Sequence, residues 1–379
     1  MSLVFTPPPR RILVRGVNWL GDAVMTTPAL LRLREKFSTA HIALLVPEKL
    51  RDLWLHHPAV NEVITFAKGE GLFSLRRKLW ARPEHFDLAL VLPNSPRSAL
   101  DVFFAGIPQR VGYSRPWRNF FLTRIVPARR EAVKMHKRTD AEIQALLAAT
   151  PSPATAPFKP APSAHQTHEY LHLVAALGAS PEPLAPLLAV TPDEIAAAQA
   201  KFGIASSGSL ILGLNPGAEY GPAKRWPAEK FIAAAQAIQQ RTACRWIVFG
   251  GPADRELAGR IAAGIGSAEG ALPPVNVAGQ TSLRELMALL KCCRVLLTND
   301  TGPMHVSAAL GTPVVVPFGS TSPELTGPGL PGDPRHRLIK TQVPCAPCFR
   351  RECPVDFRCL NGLAVDTVVA AVLGVVGKI

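Results

Sequence analysis

The sequence predicts an α/β protein in which parallel sheets are covered by helices. Short apolar runs alternate with helical patterns along most of the chain, and the connections between them are short. The clearest segment is Val295–Gly319, where two β-branched runs flank a short helical pattern, giving a strand, a helix and a strand. At 379 residues with 47% hydrophobic residues, the chain is long enough for two domains of ordinary size.

The first half alternates strands and helices. We expect strands at Ile12–Arg15, His41–Val46, Glu62–Phe66 and Phe86–Leu92, and helices at Val24–Phe37, Ser98–Ala105 and His168–Gly178. The proline- and alanine-rich stretch Thr150–Ser163 is predicted to be an extended insertion within this half. We place the domain boundary in the proline-rich segment Ser180–Pro192, which gives predicted domains of 1–185 and 186–379.

The second half alternates more regularly. We expect strands at Leu210–Leu214, Arg245–Phe249, Val275–Ala278, Val295–Thr298 and Val314–Phe318, and helices at Pro227–Arg241, Asp254–Ile265, Ser282–Cys292, Pro303–Leu310 and Gly362–Val376. Polar and glycine residues follow the strands. In an open parallel sheet these loops share one edge, and ligands bind at that edge.

The amino-acid composition indicates which classes of binding partner are favoured. The net charge of +14 and the pI near 9.9 favour nucleotides, nucleic acid or an anionic membrane surface. With only 7% aromatic residues, the chain offers few stacking platforms, so nucleic acid is the less favoured partner. The apolar runs are shorter than a bilayer span and no signal-peptide core is evident, which predicts a soluble cytoplasmic protein.

The turn Asn299–Gly302 precedes the helix predicted at Pro303–Leu310. Backbone N–H groups and the helix dipole at such a turn favour a negatively charged ligand. Thr301 or Gly302 suits the helix cap, and Gly311 suits the C-terminal stop. Asp300 either serves the cap or contacts a bound ligand, and the turn alone does not distinguish the two.

The loop Asn215–Pro227 delivers two adjacent cations, Lys224 and Arg225, just before a predicted helix. Cations at a helix N-terminus oppose its dipole, so a compensating charge is expected. A bound diphosphate would supply it. The alternative is a solvated basic turn.

The segment Gly16–Asp22 follows the first strand and superficially resembles a phosphate-binding loop. Gly16 and Gly21 have the required separation, but Asp22 stands where that loop needs a lysine, and the three-glycine dinucleotide pattern is missing. At the start of a helix, Asp22 is favoured as an ionised carboxylate and suits a general base. The alternative is an ordinary carboxylate of a first helical turn.

Four of the seven cysteines cluster as C-x2-C-x4-C-x5-C, at Cys345, Cys348, Cys353 and Cys359. In a cytoplasmic protein this clustering indicates reduced thiols or a metal site, and the spacing is compact enough for a structural zinc. Three arginines interrupt the cluster and favour a basic loop. We therefore expect no metal, with zinc as the alternative.

Four blocks of sequence carry a family resemblance: Gly21-Asp22 with its helix, Leu92–Pro108, Asn215–Pro227 and Asn299–Leu310. On these blocks the chain resembles the lipopolysaccharide heptosyltransferases of glycosyltransferase family 9, most of all the ADP-heptose:LPS heptosyltransferase II branch. The cysteine cluster is also typical of that branch. The proline-rich N-terminus and Thr150–Ser163 depart from the pattern without touching these blocks.

The resemblance implies a GT-B fold, with two Rossmann-like domains facing across a cleft. It implies an N-terminal acceptor domain and a C-terminal ADP-sugar domain. It further implies inverting transfer of L-glycero-D-manno-heptose from ADP-heptose to the heptosyl-Kdo2-lipid A inner core of lipopolysaccharide. No cofactor is expected, and the place of action would be the cytoplasmic face of the inner membrane. The alternatives are another GT-B nucleotide-sugar transferase or epimerase, or a basic protein that binds nucleic acid or membrane surfaces.

The resemblance also implies roles for individual residues. Asp22 would be the general base, Lys224 would contact the diphosphate, and Asp300 would contact the heptose hydroxyls. Thr301 and Gly302 would give backbone contacts to phosphate, and the donor side would also include Arg225, Asp254, Gln280, Thr281 and His305. Of these, Asp254 and the turn Gln280-Thr281 would lie near the ribose and adenine. The acceptor side would include Asn94, Ser95 and Arg97.

Overall fold

Two six-stranded sheets, parallel throughout, carry the fold. The computed structural model describes residues 6–82, 84–149, 159–204, 208, 210–266 and 272–377. Contacts divide the chain into two compact units, Met1–Ala132 with Ser163–Ala189, and Val133–Pro162 with Val190–Ile379. The predicted α/β class with parallel sheets is confirmed.

The first sheet has the strand order β3-β2-β1-β4-β5-β6. Its strands are β1 Arg11–Arg15, β2 His41–Pro47, β3 Glu62–Phe66, β4 Leu88–Val91, β5 Gln109–Tyr113 and β6 Arg124–Val126. The helices before residue 190 are α1 Leu20–Met25, α2 Thr27–Lys36, α3 Leu72–Trp80, α4 Pro96–Phe104, α5 Asp140–Ala148 and α6 Thr167–Ala175. The central strands are buried on both faces, which explains their continuous apolar sequences.

The second sheet has the order β12-β11-β10-β7-β8-β9. Its strands are β7 Ile211–Asn215, β8 Arg245–Val248, β9 Val275–Asn276, β10 Leu296–Thr298, β11 Val314–Phe318 and β12 Arg337–Lys340. The helices of this half are α7 Pro192–Lys201, α8 Ala228–Thr242, α9 Arg255–Ile265, α10 Leu283–Cys292, α11 Gly302–Ala309, α12 Pro323–Thr326, α13 Arg358–Asn361 and α14 Val365–Val376. Short 3-10 helices lie at Glu48–Trp54, Asn119–Phe121, Pro162–Ala164, Pro222–Lys224 and Pro252–Asp254.

Each sheet reverses its strand order once, between β1 and β4 in the first and between β7 and β10 in the second. At such a switch point, the loops after the two adjacent strands diverge to opposite faces and leave a crevice for ligands. The loop holding Asp22 follows β1, and Asn94 follows β4. The loop holding Lys224 follows β7, and Asp300 follows β10. The topology thus places Asp22, Asn94, Lys224 and Asp300 in loops at switch points, whereas Asp254 and the turn Gln280-Thr281 follow β8 and β9.

Several sequence expectations need correction. The single helix expected at Val24–Phe37 is two helices, α1 and α2, because Thr26 ends the first with bonds from its N–H to Asp22 O and Ala23 O. Helices α3, α5, α7, α12 and α13 and strands β5, β6 and β12 were not predicted from the sequence. Most of the insertion expected at Thr150–Ser163 lies outside the described residues.

The contact units differ from the predicted domains at two places. Val133–Pro162 groups with the second unit, although it was predicted to lie in the domain 1–185, and the first unit ends at Ala189 and not at residue 185. The Arg138 N–H donates to Cys348 O at 3.0 Å, and the Arg350 guanidinium lies 2.6 Å from the Asp140 carboxylate. These contacts hold the segment against the cysteine cluster. No helix in the described part of the chain is long and apolar enough to span a bilayer.

A buried ion pair connects β1 to α4 in the first unit. Arg15 Nε donates to Asp101 Oδ2 at 3.0 Å, and both side chains are 4% exposed. Burial is the largest influence on the Arg15 guanidinium and lowers its pKa, although Asp101 opposes that shift. Arg97 donates to the other oxygen of Asp101 at 2.9 Å. Asp101 is therefore the counter-charge of both Arg15 and Arg97 at the carboxyl end of β1.

Replacing Asp101 with alanine is expected to lower the free energy of unfolding by about 3–5 kcal/mol, because Arg15 would be left buried without its counter-charge. Urea denaturation measures the change. Glu35→Ala removes a carboxylate from an exposed pair with Arg32, so its effect is expected to stay below about 1 kcal/mol. A similarly small effect for Asp101→Ala would contradict the role given to the buried pair.

Candidate functional site

Asn299 organises the switch point of the second sheet. Its side chain is fully buried immediately after β10. Asn299 Nδ2 donates to Pro216 O at 2.7 Å, and Asn299 Oδ1 accepts from the Trp226 N–H at 3.0 Å. One amide therefore holds both ends of the loop at 216–226. Asn299 lies in the turn predicted from the sequence, but nothing local signals its hydrogen bonds to residues as far as 83 positions away.

Lys224 and Asp300 form an ion pair at this switch point. Lys224 Nζ lies 2.7 Å from Asp300 Oδ2, and their side chains are only 14% and 5% exposed. Thr321 donates its hydroxyl proton to the same carboxylate oxygen. Lys224 Nζ also lies 4.9 Å from the centre of the Tyr220 ring, within range of a cation–π contact. The structure thus brings together two residues predicted separately from the sequence.

The start of α11 bears on the capping interpretation of Asp300, while its contact with a ligand stays a prediction. Thr301, with extended backbone, is the N-cap residue of α11, so the interpretation of Asp300 as the cap is wrong. Thr301 and Gly302 are half-buried at the positive end of the helix dipole. Gly311 adopts a φ of 85° after the helix and supplies the predicted stop. His305 is buried within α11.

Arg225 is compensated by other groups of the same sheet edge. Its guanidinium donates to Ala218 O at 3.2 Å and lies 3.7 Å from Asp254 Oδ1. Asp254 Oδ2 accepts from the Gly251 N–H at 3.0 Å. A Cβ at residue 217 would collide with the Asp254 carboxylate, which explains the glycine there. Lys224 is therefore balanced by Asp300 in a mostly buried position, whereas Arg225 is exposed and lies near Asp254.

The turn Gln280-Thr281 lies farther along this edge. Gln280 is exposed and donates its side-chain amide to Asn276 O at 2.9 Å, while Thr281 is half-buried. Gly279, with a φ of 67°, donates its N–H to Gly250 O at 2.9 Å and joins this turn to the loop that holds Asp254. The predicted ribose and adenine residues thus lie on two loops that are hydrogen-bonded to each other.

The cysteine-containing segment, residues 345–359, supports the loop at 216–226 through hydrogen bonds. Tyr220 donates its hydroxyl proton to Phe349 O at 2.7 Å, and the Ala223 N–H donates to Arg351 O at 3.0 Å. A side chain at Gly221 would collide with that same Arg351 carbonyl. This segment therefore contributes to the position of Lys224, a role that the sequence analysis missed.

The four clustered cysteines are free thiols that line a small cavity together with Ala223 and Ser320. Burial, reinforced by neighbouring cysteines, raises the pKa of the Cys359 thiol to about 12, so this group stays protonated at neutral pH. Among the residues that the structure describes, no group of three or more histidine, cysteine or acidic side chains is arranged to hold a metal. The expectation that no metal binds stays a prediction.

Asp22 lies in the first turn of α1, as the sequence predicts for a carboxylate facing the positive end of a helix. Gln166 Nε2 lies 3.4 Å from Asp22 Oδ1 and 2.9 Å from the Tyr170 hydroxyl. Burial and then the Asp22 charge raise the pKa of the Tyr170 phenol well above its usual range, which keeps Tyr170 neutral. Gln166 and Tyr170 were missed because they follow Asp22 by more than 140 residues.

The predicted acceptor residues follow β4 and are exposed. Ser95 is the N-cap of α4 and accepts from the Ser98 N–H at 3.3 Å, while Arg97 pairs with Asp101. Asn94 Oδ1 lies 3.4 Å from a nitrogen of Arg118, a buried side chain that donates to Pro93 O at 2.8 Å. Burial and then Arg115 lower the pKa of Arg118 to about 10. Ser95 and Arg97 thus have structural partners, and their acceptor role stays a prediction.

Comparison with known proteins assigns the family. Residues 72–357 match the model of "Glycosyltransferase family 9 (heptosyltransferase)". The chain is 32% identical to lipopolysaccharide heptosyltransferase 2 of Escherichia coli K12 over 329 residues, covering 84% of this chain and 85% of the relative. The Salmonella typhimurium protein of the same name is 33% identical over the same coverage.

A solved structure agrees with the sequence comparisons. The structure of E. coli ADP-heptose LPS heptosyltransferase II aligns with a TM-score of 0.74 and 28% identity, covering 96% of this chain and 98% of that one. The resemblance to heptosyltransferases and the GT-B fold class are confirmed. The two parallel sheets, each with one switch point, agree with this fold class. The match to the family model shows that this chain belongs to glycosyltransferase family 9.

Proposed function

We propose that the protein is an inverting glycosyltransferase that moves L-glycero-D-manno-heptose from ADP-heptose to the heptosyl-Kdo2-lipid A inner core of lipopolysaccharide. The observation that carries the proposal is the Lys224–Asp300 pair beside the N-terminus of α11, at the switch point of the second sheet. The relatives named above support the substrates, because their names specify ADP-heptose and lipopolysaccharide.

The donor binds to the second unit in this proposal. Lys224 exchanges its ion pair with Asp300 for an ion pair with the diphosphate. The backbone amides of Thr301 and Gly302 bind a phosphate at the positive end of α11. Asp300, released from Lys224, accepts hydrogen bonds from the heptose hydroxyls. Arg225, His305 and the loops of Asp254, Gln280 and Thr281 complete the donor side. Positive charge here stabilises the departing ADP during glycosyl transfer.

The first unit supplies the base and the acceptor contacts. Asp22 takes the proton of the attacking acceptor hydroxyl. The acceptor oxygen then forms the new bond to the anomeric carbon while the bond from that carbon to the diphosphate oxygen breaks, and ADP leaves with the electron pair. One displacement inverts the anomeric configuration. Asn94, Ser95 and Arg97 hold the acceptor, and the enzyme works without a metal or cofactor.

A lipid-borne acceptor determines the place of action. We infer that the protein works at the cytoplasmic face of the inner membrane, in peripheral contact with it. The net charge of +14 supports this, because it suits both ADP and an anionic lipid surface. Nucleic acid is not a partner in this proposal.

Offering ADP-heptose with either Kdo2-lipid A or heptosyl-Kdo2-lipid A tests the acceptor. Mass spectrometry of the products is expected to show one added heptose only on the second acceptor. Transfer to the first acceptor would contradict the branch assignment. If UDP rather than ADP raised the melting temperature of the protein, another nucleotide-sugar transferase or an epimerase would replace the proposal.

Asp22→Ala and Asp22→Asn are expected to lower turnover by about a hundredfold or more, because positioned general bases contribute about 10²–10⁴ in rate. ADP binding, measured by thermal stabilisation, is expected to remain. Glu35→Gln, an exposed carboxylate change in the same unit, serves as the control and should retain turnover. Turnover near that of the wild type in Asp22→Asn would exclude the base assignment.

Lys224→Ala is expected to raise the KM for ADP-heptose about tenfold or more and to lower turnover, since hydrogen bonds to charged groups contribute about 1.5–3 kcal/mol. Lys224→Gln retains a partner for Asp300 and separates loss of donor contact from loss of folding. Steady-state kinetics with varied ADP-heptose measures both. Lys201→Ala, from an exposed pair with Glu285, is the control. An unchanged KM in both Lys224 variants would remove the diphosphate role.

A further inference from the structure

Five phenylalanines of the first unit form a continuous row that the proposed chemistry does not use. Neighbouring rings are in contact from α3 through α4 to the 3-10 helix Asn119–Phe121, with centroid separations of 5.4–6.1 Å. In order, the rings are Phe73, Phe104, Phe103, Phe121 and Phe120. We refer to these five residues as the aromatic ribbon.

The two ends of the ribbon are open to solvent. Phe73 is 75% exposed and Phe120 is 85% exposed. Trp117, on the same loop as Phe120, is 88% exposed and has a φ of 63°, a backbone region that bulky residues rarely occupy. Contiguous apolar surface of this kind costs free energy in water, and in monomeric proteins it marks an interaction surface.

Basic side chains border the ribbon. The Arg110 guanidinium lies 5.2 Å from the Phe103 ring centre, and the Arg76 guanidinium lies 4.7 Å from that of Trp80. Arg76 and Arg77 are exposed on α3, the helix that carries Phe73. Residues 70–130 contain eleven lysines and arginines against four acidic residues. An exposed apolar centre with a basic border is complementary to an anionic, amphipathic surface.

The ring geometry favours lipid over nucleic acid as the partner. Neighbouring rings meet edge to face, at interplanar angles of 64–87°, so the ribbon does not present a row of parallel ring faces. Stacked bases require open ring faces. Aromatic side chains at a membrane surface instead insert between lipids, while neighbouring arginines bind headgroup phosphates.

We propose that the aromatic ribbon, with Trp117 and its basic border, docks the first unit on an anionic lipid bilayer. Phe73, Phe120 and Trp117 insert into the interface, and Arg76 and Arg77 bind lipid phosphates. The choice of a lipid partner rests on the proposed function, whose acceptor is a lipid. Docking through this surface would hold the enzyme at the membrane that contains its acceptor.

Vesicle sedimentation tests the docking surface on the full-length protein. Wild-type protein is expected to bind vesicles of phosphatidylethanolamine with about 30% phosphatidylglycerol, to bind pure phosphatidylcholine weakly, and to be released by salt. Phe73→Ser/Phe120→Ser is expected to weaken binding to the anionic vesicles about tenfold. Leu55→Ser changes a residue of the same unit that is 40% exposed and lies outside the ribbon, and it should bind like the wild type.

Thermal unfolding of each variant checks that the fold is intact. Arg76→Gln/Arg77→Gln is a second variant, which leaves the rings in place and is also expected to weaken binding to the anionic vesicles. Equal binding to neutral and anionic vesicles, or unchanged binding by both double variants, would overturn the proposal. Ribbon-dependent binding to single-stranded RNA in place of vesicles would also overturn it.

An activity assay separates this proposal from the proposed function. With a de-acylated, water-soluble acceptor, Phe73→Ser/Phe120→Ser is expected to turn over like the wild type, whereas transfer to vesicle-embedded acceptor falls. Loss of both activities in a folded variant would overturn the docking role. If the wild type bound vesicles through the ribbon but transferred no heptose, the proposed function would fail and the docking surface would stand.

Discussion

The buried amide of Asn299 is the interaction on which the second switch point depends. It accepts from the backbone at one end of the loop at 216–226 and donates to the backbone at the other end. Gly217 and Gly221 give this loop backbone freedom, and fixing both ends of the loop removes much of it. Because Asn299 immediately precedes Asp300, the same amide brings Lys224 to within 2.7 Å of the Asp300 carboxylate.

Charge balance at this edge follows from that geometry. Lys224 and Asp300 neutralise each other in a mostly buried position, and Arg225 lies near Asp254. A buried charge left without a partner is costly, so the pairing stabilises the site before any ligand binds. In the proposed reaction a diphosphate and sugar hydroxyls would replace these internal partners. The site is then pre-organised, and donor binding exchanges one set of charge-assisted contacts for another.

The cysteine-containing segment explains how the loop is supported over its middle. Its backbone carbonyls accept from the Tyr220 hydroxyl and the Ala223 N–H, and both of these donors belong to the loop. The sequence pattern of four cysteines indicates thiol or metal chemistry. The tertiary structure adds a positioning role for the same segment, because its carbonyls accept hydrogen bonds from two residues that precede Lys224.

Much of the fold can be predicted from the hydrophobic periodicity and the residue types of the sequence. Strands β3 and β11 begin and end where the sequence predicts, because both are short β-branched runs bounded by turn residues. Strands β5 and β6 lack that signal, since Gln109, Arg110 and Arg124 interrupt their apolar character. β5 pairs with β4 and β6 pairs with β5, and pairing is a non-local interaction that local sequence does not report.

By itself, the sequence determined the α/β class, the family resemblance, the basic charge and the candidate residues at loops after strands. These properties depend on local spacing and residue chemistry. Only the tertiary structure decided that Lys224 pairs with Asp300, that Asn299 holds the loop, that Gln166 approaches Asp22, and that five phenylalanines share one surface. Each of these joins residues distant in sequence, and only the folded backbone brings them together.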